Sequence, residues 1–282
     1  MNTEVHKPRI LRLIARMNVG GPAIQVTNLM KKLPEESFEQ ILLTGFCSNN
    51  EIDFLETRKV DLNVKRIKYF KKAINPISDL IAFIQICVFM RRYKPDIIHT
   101  HTFKAGLLGR IAAFFCGRKA KCIHTFHGHL LSGYYGVIGT KLIVWVEKVL
   151  ALRSARLVTV GRRVRDELIH SGIGKPEQYV VINPGFDLDT SKKIERSEIG
   201  LPLTSFVCGW FGRIAQIKRL DRVLEIAAEC KSRGMDTAFL IVGDGELRSI
   251  YEVEAKEKHL PIYFLGWRHD VVSLIRNCQV VL

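Results

Sequence analysis

Arg213 and Lys218 are the residues whose type and spacing say most about chemistry. They follow the apolar run Phe206-Val-Cys-Gly-Trp-Phe211, which reads as a buried strand broken at Gly212. A helix comes next, with Leu220, Val223, Leu224 and Ala227 at helical spacing. Two cations at the carboxyl end of a parallel strand sit where open α/β sheets bind ligands. They suit a diphosphate, and above all one that gains negative charge as a bond to it breaks. Two further loops point to the same edge. Gly243-Asp244-Gly245 follows the apolar strand 238–242, and Gly266-Trp267 follows strand 262–265. Three strand ends converge there, which is more specific than any one loop.

Other candidates lie in the first half of the chain. Gly20-Gly21 follows a first strand and opens a helix, so backbone amides there can approach a phosphate or a sugar. The pattern is not GxGxxG, so a dinucleotide fingerprint is absent, and an ordinary tight turn is the competing reading. His99, His101, His124, His127 and His129 crowd one region. His99 and His101 share one face of a strand, but the five do not form an evident tetrahedral metal set. His127, at a strand end before Gly128, reads as a hydrogen-bonding or acid/base group, with a satisfied turn histidine as the alternative. Asp187-Leu-Asp189 matches the DxD used to hold manganese, yet it falls in a stretch that reads as a turn. No metal site is expected.

The elements that must position these residues alternate along the whole chain. Strands are expected at 10–15, 40–44, 96–99, 121–125, 156–160 and 179–182, with helices between them at 22–33, 79–93, 105–115, 141–152 and 163–171. The pattern restarts after 184–202, a polar stretch that reads as a linker. It continues as strand 206–211, helix 219–233, strand 238–242, helix 246–258, strand 262–265, helix 270–276 and a last strand from Gln279. Such alternation means parallel sheets covered by helices. The chain therefore reads as α/β with two domains, 1–183 and 184–282, and 282 residues suit two cores better than one.

Composition narrows the partners. The formal charge is +15, from 43 basic and 28 acidic residues, which favours phosphorylated ligands, an anionic membrane or nucleic acid. Nucleic acid rests on charge alone, since no nucleic-acid module is present. Lys65, Arg66, Lys68, Lys71 and Lys72 surround Tyr69 and Phe70, which suits lipid headgroups or a solvated basic face. Seven cysteines without a CxxC pair suit a reducing cytoplasm. The amino terminus lacks a signal peptide's apolar stretch, and the longest apolar run, 80–90, is too short to span a bilayer, which takes ~20 residues.

Taken in order, Gly20-Gly-Pro-Ala23, His99-Thr-His-Thr-Phe-Lys-Ala-Gly106, His124-Thr-Phe-His-Gly-His129, Val181-Ile-Asn-Pro-Gly-Phe-Asp187, Gly212-Arg-Ile-Ala-Gln-Ile-Lys218, Val242-Gly-Asp-Gly-Glu-Leu247 and Phe264-Leu-Gly266 resemble bacterial GT-B glycosyltransferases of family 4. The resemblance covers almost the whole chain. It implies two Rossmann-like domains facing a cleft, the first for the acceptor and the second for a nucleotide sugar. It implies retaining transfer without a metal or other cofactor. Arg213 and Lys218 match the pair on the donor diphosphate, with Gly212, Gly243 and Gly245 in the loops beside it. Gly20 and Gly21 match the loop beneath that diphosphate, His127 the histidine near the transferred sugar, and the backbone of Trp267 and Arg268 the nucleobase site. The acceptor is expected to be a saccharide, lipid-linked at the inner membrane face, which makes the protein cytoplasmic and peripheral. The family's paired glutamates, seven residues apart, and its terminal helix would follow a strand like 279–282. The second domain is therefore expected to be incomplete, and an inactive nucleotide- or membrane-binding relative is the alternative.

Overall fold

The computed structural model describes residues 7–48, 51–71, 73–116, 120–128, 136–185 and 194–282. The chain forms two compact units, 1–186 and 187–282. In the first, β1 (Arg9–Ile14), β2 (Glu39–Thr44), β3 (Val64–Arg66), β4 (Ile97–His101), β5 (Lys121–Phe126), β6 (Arg156–Thr159) and β7 (Tyr179–Val181) build one sheet in the order β3-β2-β1-β4-β5-β6-β7. All of its pairings are parallel. Parallel strands need crossovers, here α1 (Gly21–Lys32), α2 (Phe54–Arg58), α3 (Pro76–Tyr93), α4 (Phe103–Cys116), α5 (Val137–Ala151) and α6 (Arg162–His170).

Both faces of this sheet are covered, so its central strands bury side chains on both sides. Leu11, Leu13 and Ile98 pack with Ala82, Ile86 and Met90 of α3 and with Ala105 and Ala112 of α4. Ile14 and Leu42 pack on the other face with Ala23, Val26 and Met30 of α1. Helix starts follow local chemistry. The Asn75 side chain accepts the Ser78 N–H at 3.0 Å and Pro76 sits in the first turn of α3. Lys94 ends that helix in a left-handed conformation, φ 52°.

The second unit holds β8 (Phe206–Phe211), α7 (Asp221–Ser232), β9 (Thr237–Val242), α8 (Arg248–Glu257), β10 (Ile262–Gly266), α9 (Val271–Ile275) and β11 (Val280–Val281). Its parallel sheet has the order β10-β9-β8-β11. Every residue of the central strand β9 is buried. Leu220, Val223, Leu224 and Ala227 form part of the core on one face, as their spacing requires.

Three expectations change. The short elements α2 and β3 are absent from the sequence reading. They have five and three residues, too few to show a period. The 184–202 stretch is only in part a linker: Ile194 and Leu201 are buried in the second unit's core, and Arg196–Ile199 forms a 3-10 turn. Phe70, expected among membrane-facing aromatics, is fully buried in the first unit's core. Asp187, Asp189, His129 and Lys72 lie outside the described residues.

Candidate functional site

In the second unit three loops leave the carboxyl edge of the sheet. The ladder between β8 and β9 continues past the strand ends. Gly212 N–H donates to the Val242 carbonyl at 3.0 Å and Ile214 N–H to the Asp244 carbonyl at 2.9 Å. Gly243 N–H then donates to the Gly266 carbonyl at 2.8 Å, which ties in the third loop. Beyond Ile214 the chain folds back twice, Ala215 N–H to Arg213 O and Lys218 N–H to Ala215 O, each at 2.9 Å. This sets Arg213 and Lys218 on one anchored loop.

Both cations are exposed, and neither side chain has a partner among the described residues. Their neighbours differ. Arg219 is paired with Asp221 at 2.7 Å, Arg248 with Asp244 at 3.2 Å and Glu252 at 2.7 Å, and Arg268 with Asp270 at 2.6 Å. Those arginines are already neutralised locally; Arg213 and Lys218 are open to an anion.

Gly243 and Gly245 have a different reason from the one their pattern suggests. Gly243 takes φ +144°, and a Cβ there would lie 1.8 Å from the Gly212 carbonyl oxygen. A Cβ on Gly245 would lie 2.2 Å from the Ile214 carbonyl oxygen. The close approach these glycines permit is of one loop backbone to the next, which holds the Arg213 loop in place. Gly212 is less constrained, meeting only the Trp210 ring at 3.4 Å. Trp267 is half-buried and packs edge-on against His269, with ring centroids 4.0 Å apart.

In the first unit Gly20 and Gly21 do face open space. A Cβ on Gly21 would meet nothing within 4 Å, and one on Gly20 nothing nearer than 3.9 Å. Gly20 caps α1, no side chain occupies the cap, and no acid sits in the first turn. The free amides and the helix dipole there favour an anion or a polar oxygen. The loop is braced from the side. Val19 N–H donates to Ile52 O at 3.0 Å, Phe54 N–H donates to Met17 O at 2.7 Å, and Arg16 pairs with Glu51 at 2.8 Å. Asp53 caps α2 through Leu55 N–H and pairs with Arg66 at 2.9 Å.

In the same unit, strands β2, β1, β4 and β5 carry a largely buried polar chain. Gln40 Oε1 accepts from Arg12 at 3.1 Å. Arg12 has no acceptor atom, so it donates to His99 Nδ1 at 2.7 Å. That puts the His99 proton on Nε2, which donates to Thr125 Oγ1 at 2.7 Å. His101 packs against His99 with the rings tilted by 37° and centroids 4.1 Å apart, and its Nδ1 shares a hydrogen bond with His127 Nε2 at 3.0 Å. Burial holds His99 and His101 well below the ordinary value of 6.5, with nearby positive groups adding to it. Burial alone lowers His127 to about 4. All three imidazoles are neutral at neutral pH. Arg12 is lowered to about 10 by burial and stays cationic. Just after His101, Thr102 takes φ 66°, a left-handed backbone that costs a β-branched residue about 1–3 kcal/mol.

His124 stands on the opposite face, its Nδ1 2.8 Å from Thr100 Oγ1. So His99, His101 and His127 converge, more than the sequence suggested, while His124 belongs to the core. The convergence serves hydrogen bonding: two of the three rings are tied to each other and the third to Arg12. His127 Nε2 is engaged, which leaves its Nδ1 for a ligand.

Sequence reasoning missed Arg12, because its partners are 28 and 87 residues away. It also missed the buried pair Arg110–Glu147, 2.6 Å apart between α4 and α5. A lone arginine and a lone glutamate inside apolar helices were the available signal.

The fold and these strand-edge loops define a two-unit Rossmann-like architecture of the GT-B class. A family model described as Glycosyltransferase Family 4 matches residues 19–190, and one described as Glycosyl transferases group 1 matches 205–282. The chain belongs to Glycosyltransferase Family 4. It is 29% identical over 219 residues to the UDP-Gal:alpha-D-GlcNAc-diphosphoundecaprenol alpha-1,3-galactosyltransferase of Escherichia coli, covering 73% of this chain and 56% of that protein. It is 26% identical to the capsular polysaccharide biosynthesis glycosyltransferase CapM of Staphylococcus aureus, covering 69% of this chain and 53% of that one. The chain thus spans about half the length of these relatives. Among solved structures, HepE of Anabaena in complex with UDP and glucose superposes with a TM-score of 0.74 at 21% identity, over 97% of this chain and 73% of that one.

Proposed function

We propose that the chain belongs to a retaining glycosyltransferase that moves a sugar from a UDP- or GDP-sugar to a saccharide acceptor carried on a lipid. The observation that carries the reading is the exposed, unpartnered pair Arg213 and Lys218 on the anchored loop after β8. As the bond from the sugar's anomeric carbon to the diphosphate oxygen breaks, charge grows on that oxygen, and these cations stabilise it. The backbone of Trp267 and Arg268, on the neighbouring loop, suits the nucleobase. In the first unit the open amides at Gly20 and Gly21 suit the diphosphate or the sugar. His127, neutral and held through Nε2, offers Nδ1 as a hydrogen-bonding group to a sugar hydroxyl rather than as an acid. The two cations do the charge stabilisation that a metal does elsewhere, so no cofactor is proposed.

The E. coli relative is named for a UDP-linked donor and a lipid-diphosphate-linked acceptor, and CapM for capsular polysaccharide synthesis. Those names support a role in cell-envelope or polysaccharide synthesis; the location proposed with it is a membrane face on the cytoplasmic side. Among the described residues no helix is long and apolar enough to cross a membrane.

Calorimetry of UDP and GDP binding tests the donor site. Hydrogen bonds to a charged group contribute about 1.5–3 kcal/mol, so Arg213→Ala and Lys218→Ala should each weaken binding by that order. Unchanged affinity in both variants would remove the donor-site assignment. Binding without sugar transfer in the presence of a lipid-linked acceptor would instead favour a nucleotide-binding relative.

A further inference from the structure

We propose that the outer face of the helical layer α3–α4–α5 is a docking surface for an anionic lipid bilayer. On α5, Ile138, Leu142, Trp145, Val149 and Leu152 are all exposed, and their spacing of four, three, four and three residues draws one stripe along the helix. Trp145 is 63% exposed and Ile138 86%. On α3, Ile77, Leu80, Ile84 and Val88 form a second exposed row. Helix α4 packs against both α3 and α5 and ends in the exposed Phe114 and Phe115. An apolar surface of this extent marks an interaction site.

The charges say what covers it. The three helices contain only two carboxylates, Asp79 and Glu147. Asp79 is paired with Lys104 and Glu147 with Arg110, and neither is exposed. No negative charge from these helices faces outward. The exposed charges on them and at the end of α5 are Arg91, Arg92, Lys141, Lys148 and Arg153. The Arg153 guanidinium lies 4.5 Å over the Phe114 ring, so cation and apolar surface are joined. A shallow depression on α5 is lined by Thr140, Lys141, Val144, Trp145 and Lys148, with a lysine on either side of the indole.

A second copy of the chain would set cations against cations on such a face. A bilayer with anionic headgroups matches both features, because apolar side chains enter the acyl boundary while lysine and arginine reach phosphate. Tryptophan between lysines suits that interface. At 15 residues α5 is about 22 Å long, which suits lying in the membrane plane rather than crossing it. The basic segment around Lys65 and Lys68 lacks the apolar half of this match, since Phe70 is in the core.

The proposal deepens the reading of a lipid-linked acceptor and rests on it for its purpose only. Vesicle binding needs no sugar, so its failure is distinguishable from failure of transfer. The test is co-sedimentation of the 282-residue protein with vesicles of phosphatidylcholine alone, or mixed with phosphatidylglycerol, at low and high salt. Binding is expected to the mixed vesicles only and to weaken with salt. Leu142→Ser/Trp145→Ser and Lys141→Glu/Lys148→Glu should each weaken it about tenfold or more, with unchanged circular dichroism, since all four positions are exposed. Trp145 emission should shift to the blue on binding, and Trp145→Phe should lose that shift. Equal binding to both vesicle types, binding to neither, or binding that survives both α5 variants but falls with Lys65→Glu/Lys68→Glu would overturn the proposal. So would a dimer in sedimentation velocity that Leu142→Ser/Trp145→Ser abolishes.

Discussion

The two sheets carry opposite kinds of polar group. In the first unit Arg12, His99 and His101 are buried and use one another as partners, with His127 at the mouth of that chain. In the second, Arg213 and Lys218 stand exposed with no partner among the described residues. Buried groups of the first kind fix shape, because leaving one unsatisfied costs its full desolvation. Exposed cations of the second kind cost little to keep and respond to whatever anion arrives. Damage to the first unit should therefore read out as lost folding, and damage to the second edge as lost binding.

Acid gives the largest expected effect and tests the first half of that contrast. His99, His101 and His124 are held well below 6.5 by burial, and His127 is lowered to about 4. As pH falls from 6.5 towards 4 the unfolded chain takes up protons that the folded chain refuses. Stability from these groups is therefore fully present above pH 6.5 and is lost as pH falls through that window. Hydrogen exchange followed by mass spectrometry should show the first unit opening before the second on acidification. Both units opening together, with the same pH midpoint, would break the contrast.

The next effect is the buried ion pair. Glu147→Ala leaves the Arg110 guanidinium buried without its counter-charge, which costs about 3–5 kcal/mol. Urea unfolding monitored through Trp145, on the same helix, should show the loss, with UDP affinity at the second unit unchanged.

A third test compares glycines. Gly243→Ala places a methyl where the Gly212 carbonyl already lies and at a φ of +144°, so a loss of about 1–3 kcal/mol from backbone strain alone is expected, plus the clash. The Arg213 loop should be displaced with it, so UDP affinity falls too. Gly21→Ala meets nothing within 4 Å and should change stability by no more than about 0.5 kcal/mol. Equal effects at both positions would remove the distinction between a glycine that packs and one that stays open.

The sequence shows why some of this was legible and some was not. Parallel strands buried on both faces read as apolar runs, and β8, β9 and β10 stand close to where those runs place them. The loops after them are marked by glycine, so Arg213, Lys218 and Trp267 could be put at one edge. What Gly243 touches could not be read, because its neighbour is 31 positions earlier in the chain. Arg12 hides inside a strand whose composition says only that it is buried. On α5 the same apolar residues that signal a helix also signal a core, and only the fold shows which of its faces is left uncovered. Phe70 makes the opposite case, an aromatic in a basic run that turns inward.

Arg268 carries the smallest expected effect and sharpens the second half of the comparison. It shares an edge with Arg213 and Lys218 and has the same charge, yet its guanidinium is held by Asp270 through two contacts, at 2.9 and 2.6 Å. That pairing raises its pKa, the hydrogen bond to Asp270 being the main cause. A cation already neutralised by a fixed carboxylate adds little field for a phosphate. The proposed nucleobase contact is with the backbone of this loop and does not call on the Arg268 side chain. Removing a partly exposed pair costs about 0–1 kcal/mol of stability. Arg268→Ala should therefore leave UDP affinity within about twofold of wild type, a change of roughly 0.4 kcal/mol. Arg213→Ala and Lys218→Ala, measured side by side in the same titration, should fall well outside that range. If Arg268→Ala weakens UDP as much as they do, charge at the edge matters irrespective of partners, and the distinction between free and paired cations has no consequence for binding.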